Sequence, residues 1–386
     1  MEFDLSWLLL GVPIVFALGW LASRFDLRQW RIENNRAPKA YFKGLSYLLN
    51  EQQDQAIDAF IEAVQRDPDT SELHFALGNL FRRRGEYERA VRVHEHLLAR
   101  ADLSKSDRER AQFALAQDFL KAGLIDRAEE ALRKLIGTPY QNQAWLTLLS
   151  LHERARDWPQ ATAIARDLQQ TGTSDFTARL AHYQCELAAN VLNKQKDPAT
   201  AMQLLEQAIA DAPTAARPRV QLAGLLAGQQ NWDAAFEQLA QLETHVPQTV
   251  PLIASELVRI GQACGRLQDA ITLLERAYTQ TPSLDVADAI VQAQVALGTP
   301  WEQARTPYEQ HMAQEPSLIA ATRWLSHATF APDDTRAIVQ RSLEHAARPL
   351  ARYRCAACGF ETQGYFWQCP GCQAWDSFPP RRIEEL

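Results

Sequence analysis

Cysteine is almost missing from the first 354 residues, where only Cys185 and Cys264 occur, each alone in a stretch of helical composition. A disulfide-stapled fold spreads its cysteines to pin loops, so this sparsity excludes that class and suits a reducing compartment. The two lone thiols read as small core residues. Glycine is scarce too, 16 of 386 residues, and neither a glycine-rich phosphate loop nor a dinucleotide fingerprint is present. No HExxH helix and no nucleophile elbow occur. A basic excess is lacking: 40 Lys and Arg stand against 47 Asp and Glu, a net charge of −7, which argues against a nucleic-acid partner. His94-Glu95-His96 and His152-Glu153 sit on helical stretches at spacings that do not converge on one metal, and read as packing or surface residues. With no catalytic residues to assign, the sequence predicts a protein that is not an enzyme.

One long hydrophobic run is present. Residues 5–22, LSWLLLGVPIVFALGWLA, carry no charge between Asp4 and Arg24. As a helix this run rises about 27 Å, close to the ~30 Å of bilayer hydrocarbon. Phe3, Trp7 and Trp20 fall near its ends, where amphipathic rings favour the interface, and Pro13 is tolerated in a membrane helix. The leading residues are acidic, Glu2 and Asp4, unlike the basic start of a cleaved signal peptide. Arg24, Arg28, Arg31, Arg36 and Lys39 follow, against Asp26 and Glu33. Positive charge stays on the cytoplasmic side, so the pattern predicts a transmembrane anchor over 1–23, its N-terminus outside and the remaining chain inside. Residues 24–36 form a basic juxtamembrane segment, either a surface helix touching lipid or a solvated continuation of the anchor.

From residue 37 the sequence repeats with a period of 34. Counting Ala37 as position one, Gly44 is at 8, Tyr47 at 11, Ala56 at 20, Phe60 at 24, Ala63 at 27 and Pro68 at 32. Starting again at Ser71, Leu77, Gly78, Phe81, Gly85 and Ala90 take positions 7, 8, 11, 15 and 20. Further starts fall near Glu109, Asn142, His182, Ala216, Pro251 and Asp285, with helix-B alanines Ala128, Ala161, Ala201, Ala235, Ala270 and Ala304. Pro213, Pro247, Pro282 and Pro316 close the last four units, and a degenerate pair follows over 317–347. Small residues at 8 and 20 let the two helices of a unit approach closely, and proline at 32 stops the second. This resembles the tetratricopeptide pattern position by position. The resemblance implies about nine units over 37–347, stacked into a superhelical solenoid with a concave groove. In that family helix-A positions 2, 5, 9 and 12 line the groove, which here nominates Phe75, Asn79, Arg82, Phe113 and Gln117 as partner-binding residues.

The other four cysteines crowd the end of the sequence, in YRCAACGFETQGYFWQCPGCQAWDSF over 353–378. Cys355 and Cys358 form one C-x-x-C pair, Cys369 and Cys372 a second, each able to present two sulfurs to one ion. Gly359 after the first pair, and Pro370 with Gly371 inside the second, supply the tight turns. Four thiolates make a closed tetrahedral site, a structural metal rather than a catalytic one. Zinc and iron both accept that donor set, so the sequence names one metal ion of either kind. A segment this short depends on its metal to fold over 348–386. Tyr353, Phe360, Phe366, Trp367, Trp375 and Phe378 are expected to pack around the ion and against the last helices.

The run Tyr-x-Cys-x-x-Cys-Gly-Phe followed by Cys-Pro-x-Cys resembles the rubredoxin knuckle pair. An anchor, tetratricopeptide-like units and a rubredoxin-like tail in this order resemble the lipopolysaccharide assembly protein B (LapB, YciM) family. That resemblance implies a single-pass protein of the bacterial inner membrane, periplasmic at its N-terminus, with cytoplasmic repeats and metal domain. It implies an adaptor that promotes proteolysis of the deacetylase LpxC by the membrane protease FtsH. It also implies ties to LapA and other lipopolysaccharide assembly proteins, and it leaves room for a homo-oligomer. Carried over, the metal ligands are Cys355, Cys358, Cys369 and Cys372. Two alternatives stay open: a rubredoxin-type iron redox protein, and a general envelope-assembly scaffold with no role in proteolysis.

Overall fold

The computed structural model describes residues 16–17, 19–20, 37–67, 69–172, 174–326 and 334–386. All but four residues of the apolar run, the juxtamembrane segment 24–36 and the turn proline Pro68 lie outside the described residues. Among the described residues, no helix is long and apolar enough to cross a membrane.

The chain divides into two compact units, 1–151 and 152–386. The first holds α1 (Ala37–Leu49), α2 (Gln53–Arg66), α3 (Ser71–Arg84), α4 (Tyr87–Ala99), α5 (Lys105–Lys121), α6 (Ile125–Arg133) and most of α7 (Gln141–Ala155). The second continues with α8 (Trp158–Gln170), α9 (Thr177–Asn190), α10 (Pro198–Asp211), α11 (Ala216–Gly228), α12 (Trp232–His245), α13 (Val250–Ala263), α14 (Leu267–Gln280) and α15 (Leu284–Ala296). It ends with α16 (Trp301–Ala304), α17 (Thr306–Gln314), α18 (Leu318–Ser326), α19 (Asp334–Ala347) and the two-residue strands β1 (Tyr353–Arg354) and β2 (Glu361–Thr362). Within each unit successive helices pack as neighbours, the arrangement of tetratricopeptide pairs.

Packing follows the repeat chemistry. The helix-B alanines Ala56, Ala90, Ala128, Ala161, Ala201, Ala235, Ala270 and Ala304 are each 0% exposed, because helix A leaves no room there for a longer side chain. Position 8 is as tight: a Cβ on Gly44 would lie 2.6 Å from Phe60 Cε2, and one on Gly78 2.5 Å from His94 Cε1. The second unit's main core runs unbroken from Cys185 to Ala293. Cys185 is 0% exposed, and Cys264 is half-buried against that same core.

The period blurs where local chemistry overrides it. α5 starts at Lys105, ahead of Glu109, because the Ser104 hydroxyl accepts from the Asp107 amide and starts the helix early. α9 starts at Thr177, ahead of His182, and runs into a π-turn over Val191–Gln195. The eighth unit's second helix breaks at Arg305, with Pro307 in the first turn of the piece that follows.

Candidate metal centre and its seat on the repeats

The metal centre begins with two turns of the same form. In the first, the Gly359 amide donates to the Cys355 carbonyl at 2.9 Å and the Cys355 amide to the Phe360 carbonyl at 2.9 Å. In the second, the Gln373 amide donates to the Cys369 carbonyl at 2.8 Å and the Cys369 amide to the Ala374 carbonyl at 2.9 Å. Gly359 holds φ +77°, a position glycine fills without strain, and Gln373 holds φ +62° at the matching place. Gly371 is therefore not the turn residue the sequence suggested. It lies against Phe360, whose Cδ2 would be 3.5 Å from a Cβ there. β1 and β2 pair antiparallel across the base of the first turn, Tyr353 opposite Thr362 and Arg354 opposite Glu361, and the bridge between Gln368 and Trp375 closes the base of the second.

All four Sγ atoms lie within 4.8 Å of one another. Cys355 and Cys372 are 3.8 Å apart, and Cys358 and Cys369 3.7 Å. A tetrahedron with metal–sulfur bonds of ~2.3 Å has edges of about 3.8 Å, so the donor set fits one ion. Cys355 Sγ lies 3.3 Å from the Ser377 hydroxyl, and the hydrogen bond between them draws the thiol's pKa down to about 6, towards the thiolate a metal requires. Cys355 and Cys369 are buried, whereas Cys358 and Cys372 face solvent.

The ribbon rests on the second unit's repeats through its buried side. Tyr353 and Phe378 form a small core with both buried cysteines, joined by Tyr365 and by Leu252 of α13. Phe360 and Phe366, expected inside, are each 42% exposed. Trp367 packs on the main repeat core. Trp375 is half-buried and makes most of the ring contacts to the repeats. Its ring stacks on His182 at 4.6 Å and 20°, stands edge-on to Trp158 and Tyr183, and its Nε1 donates to Glu153 at 3.2 Å. His182 Nε2 meets the Asp376 carboxylate at 2.7 Å.

The segment after the knuckles completes the seat. Arg382 holds Asp285 at the start of α15 with contacts of 2.9 and 3.2 Å, its guanidinium 4.2 Å from the Tyr353 ring centre. The Glu385 carboxylate accepts the Leu284 amide at 2.7 Å. The Glu384 carboxylate accepts the Leu318 amide at 2.6 Å and the Ser317 hydroxyl at 2.7 Å. Each glutamate thus caps a helix N-terminus, where unpaired amides and the helix dipole favour an anion. The ribbon does not sit on the last helices alone, as the sequence suggested, because its cap-seeking carboxylates and Trp375 find partners as far back as α7 and α9. Glu384→Ala is expected to destabilise α18 by about 1–2 kcal/mol, seen as faster amide exchange at Leu318 and Ile319.

The groove candidates fare unevenly. Phe75 is 2% exposed, covered by Arg110 with its guanidinium 4.1 Å from the ring centre, so it packs the core instead of facing a partner. Arg82 donates to Asp118 at 2.8 Å and to the Ala114 carbonyl at 3.1 Å, which ties it between α3 and α5. Asn79 accepts from Arg82. Phe113 stacks on Tyr140 at 5.5 Å and is half-buried, as is Gln117. Sequence reasoning missed Glu153, His182, Asp376, Arg382, Glu384 and Glu385. The signal for the last two was a pair of acids after a run that otherwise reads as aromatic and basic.

Residues 353–380 match the family described as the rubredoxin metal binding domain. Tetratricopeptide repeat models match 40–70, 73–109, 113–175 and 192–257. Lipopolysaccharide assembly protein B of Escherichia coli (strain K12) is 29% identical over 385 residues, covering 98% of each chain. The Haemophilus influenzae protein of that name is 25% identical, again over 98% of both. Among solved structures, the TPR2AB-domain:pHSP90 complex of yeast Sti1 is 16% identical, with a TM-score of 0.31 over 72% of this chain and 99% of that one.

Proposed function

Since the chain is similar to lipopolysaccharide assembly protein B over its whole length, we propose that it serves lipopolysaccharide assembly as a non-catalytic adaptor held at the inner membrane. One observation carries this reading: repeats and metal ribbon align together with the same relatives, in one order and at nearly full coverage of both chains. The apolar run 5–22 anchors the chain with its repeats in the cytoplasm, and Cys355, Cys358, Cys369 and Cys372 hold one structural metal. Zinc or iron there supplies cross-linking of the two turns and no reaction.

In the finer form of the proposal, the repeats bring the deacetylase LpxC to the protease FtsH, with LapA as a further partner. Half-buried groove residues such as Asn79, Phe113 and Gln117 make the contacts. Tethering raises the effective concentration of substrate at protease without any chemistry by the adaptor itself. Depleting the protein is then expected to lengthen LpxC lifetime several-fold in a pulse-chase measurement. Unchanged LpxC turnover with defective lipopolysaccharide assembly would instead favour an envelope scaffold that has no part in proteolysis.

A further inference from the structure

α1 opens the array, and one side of it departs from the units that follow. Gly44 and Tyr47 turn inward: a Cβ on Gly44 would meet the Phe60 ring, and Tyr47 packs on the core of α2 and α3. Phe42, Leu45 and Leu49, spaced i, i+3 and i+7, make a stripe on the outside and are 62%, 37% and 79% exposed. In the 34-residue register they hold positions 6, 9 and 13. The second unit has Ala76, Asn79 and Arg83 at those places, and the third has Ala114, Gln117 and Lys121. Both units pair their helices with small or polar residues there, so the repeat does not call for large apolar ones. The end unit of a helical array ordinarily shows a polar outer side, since no neighbour covers it.

A contiguous apolar stripe edged by charge marks contact with a protein or with a membrane. Composition and reach favour the membrane. Along Ala37–Leu49 the sequence carries Lys39 and Lys43 and no acid, and Lys43 is exposed. An apolar stripe with a purely basic polar complement is the pattern of helices that lie on anionic lipid. Residues 24–36 add Arg24, Arg28, Arg31 and Arg36 against Asp26 and Glu33. Even fully extended, that stretch reaches only about 45 Å, so an anchor over 5–22 keeps α1 beside the bilayer.

We propose that the outer side of α1 lies on the anionic cytoplasmic leaflet. Phe42, Leu45 and Leu49 enter the interface and Lys43 meets lipid phosphate, which seats the first unit on the membrane instead of leaving it on a loose tether. The proposal rests on the anchor read above for its geometry; the exposed stripe is a separate observation.

The test reconstitutes full-length protein in nanodiscs of phosphatidylethanolamine with phosphatidylglycerol. p-Benzoylphenylalanine is placed singly at Phe42, at Leu49, at Leu10 in the apolar run, or at the exposed Lys121 of the third unit, and mass spectrometry reads the photo-adducts. Lipid adducts are expected from Phe42, Leu49 and Leu10, and none from Lys121. Leu45→Glu puts a polar side chain where the next units hold Asn79 and Gln117, so Tm should not move. It should nevertheless lower the lipid yield at Leu49 about fivefold, the effect of one charge near an anionic surface. Absence of lipid adducts at both Phe42 and Leu49 would overturn the proposal, and Leu10 then decides separately whether the anchor stands. Adducts at Phe42 and Leu49 without any at Leu10 would uphold the seat and overturn the anchor. Capture of a second copy or of residues 24–36 in place of lipid, or a lipid yield unmoved by Leu45→Glu, would also overturn the proposal.

Discussion

Replacing Cys355 and Cys358 together with serine is expected to remove the metal and collapse the ribbon. The ribbon's own core amounts to Tyr353, Phe378, two cysteines and the flanking Tyr365 and Leu252, too little to offset the entropy of ordering it. Structural zinc in comparable small domains contributes an apparent ~10–16 kcal/mol, so folding here is metal binding. Losing the ribbon withdraws Trp375 from its place on His182 and Glu153 and uncaps α15 and α18. Those losses are worth about 3–5 kcal/mol to the second unit, from one large aromatic and two charged caps. Metal analysis should read one equivalent in the parent and none in the variant, with a cooperative unfolding transition displaced to lower temperature. Cys185→Ser, at a thiol remote from the cluster, should keep its full equivalent of metal; a variant of Cys355 and Cys358 that also keeps it would refute the four-sulfur site.

Asp118→Ala is the second large effect, and it belongs to the first unit. Asp118 is 0% exposed on α5 and binds two groups from the neighbouring pair: Arg82 of α3 at 2.8 Å and His94 of α4, also 0% exposed, at 2.5 Å. Removing one member of a buried ionic group leaves the others desolvated without compensation, a cost of about 3–5 kcal/mol. Arg82 keeps a side-chain exposure of 21% and can regain some water, which places the expectation at the lower end of that range. Urea unfolding of the first unit should register the loss directly, and Asn79→Ala, which removes only an outer acceptor of Arg82, should register little. Comparable effects from the two substitutions would mean that the network is not what joins these pairs.

Legibility from sequence followed the range of the interactions involved. Small residues at fixed positions dictate close helix approach within a single pair, so the register of Gly44, Gly78 and the eight alanines could be read without coordinates. The C-x-x-C spacing is equally local, and it located all four sulfurs that cluster. What escaped was long in sequence. Trp375 meets Glu153 across more than two hundred residues, and Glu384 meets Leu318 across more than sixty. Nothing in the period of either partner marks such a contact. Phe75 was misassigned for a related reason: the groove rule counts positions on one helix, whereas burial was decided by Arg110 arriving from α5. Gln373 shows the limit of composition, since a residue other than glycine holds the left-handed turn that Gly359 holds in its twin.

The metal knuckles hold their ribbon against helix N-termini of the second unit. Amide exchange at Leu284, Leu318 and Ile319, compared between metal-loaded and chelator-stripped full-length protein, tests it most directly. Slow exchange is expected with metal and at least tenfold faster exchange without it, as Glu385 and Glu384 leave their amides. Identical protection in both states would contradict it.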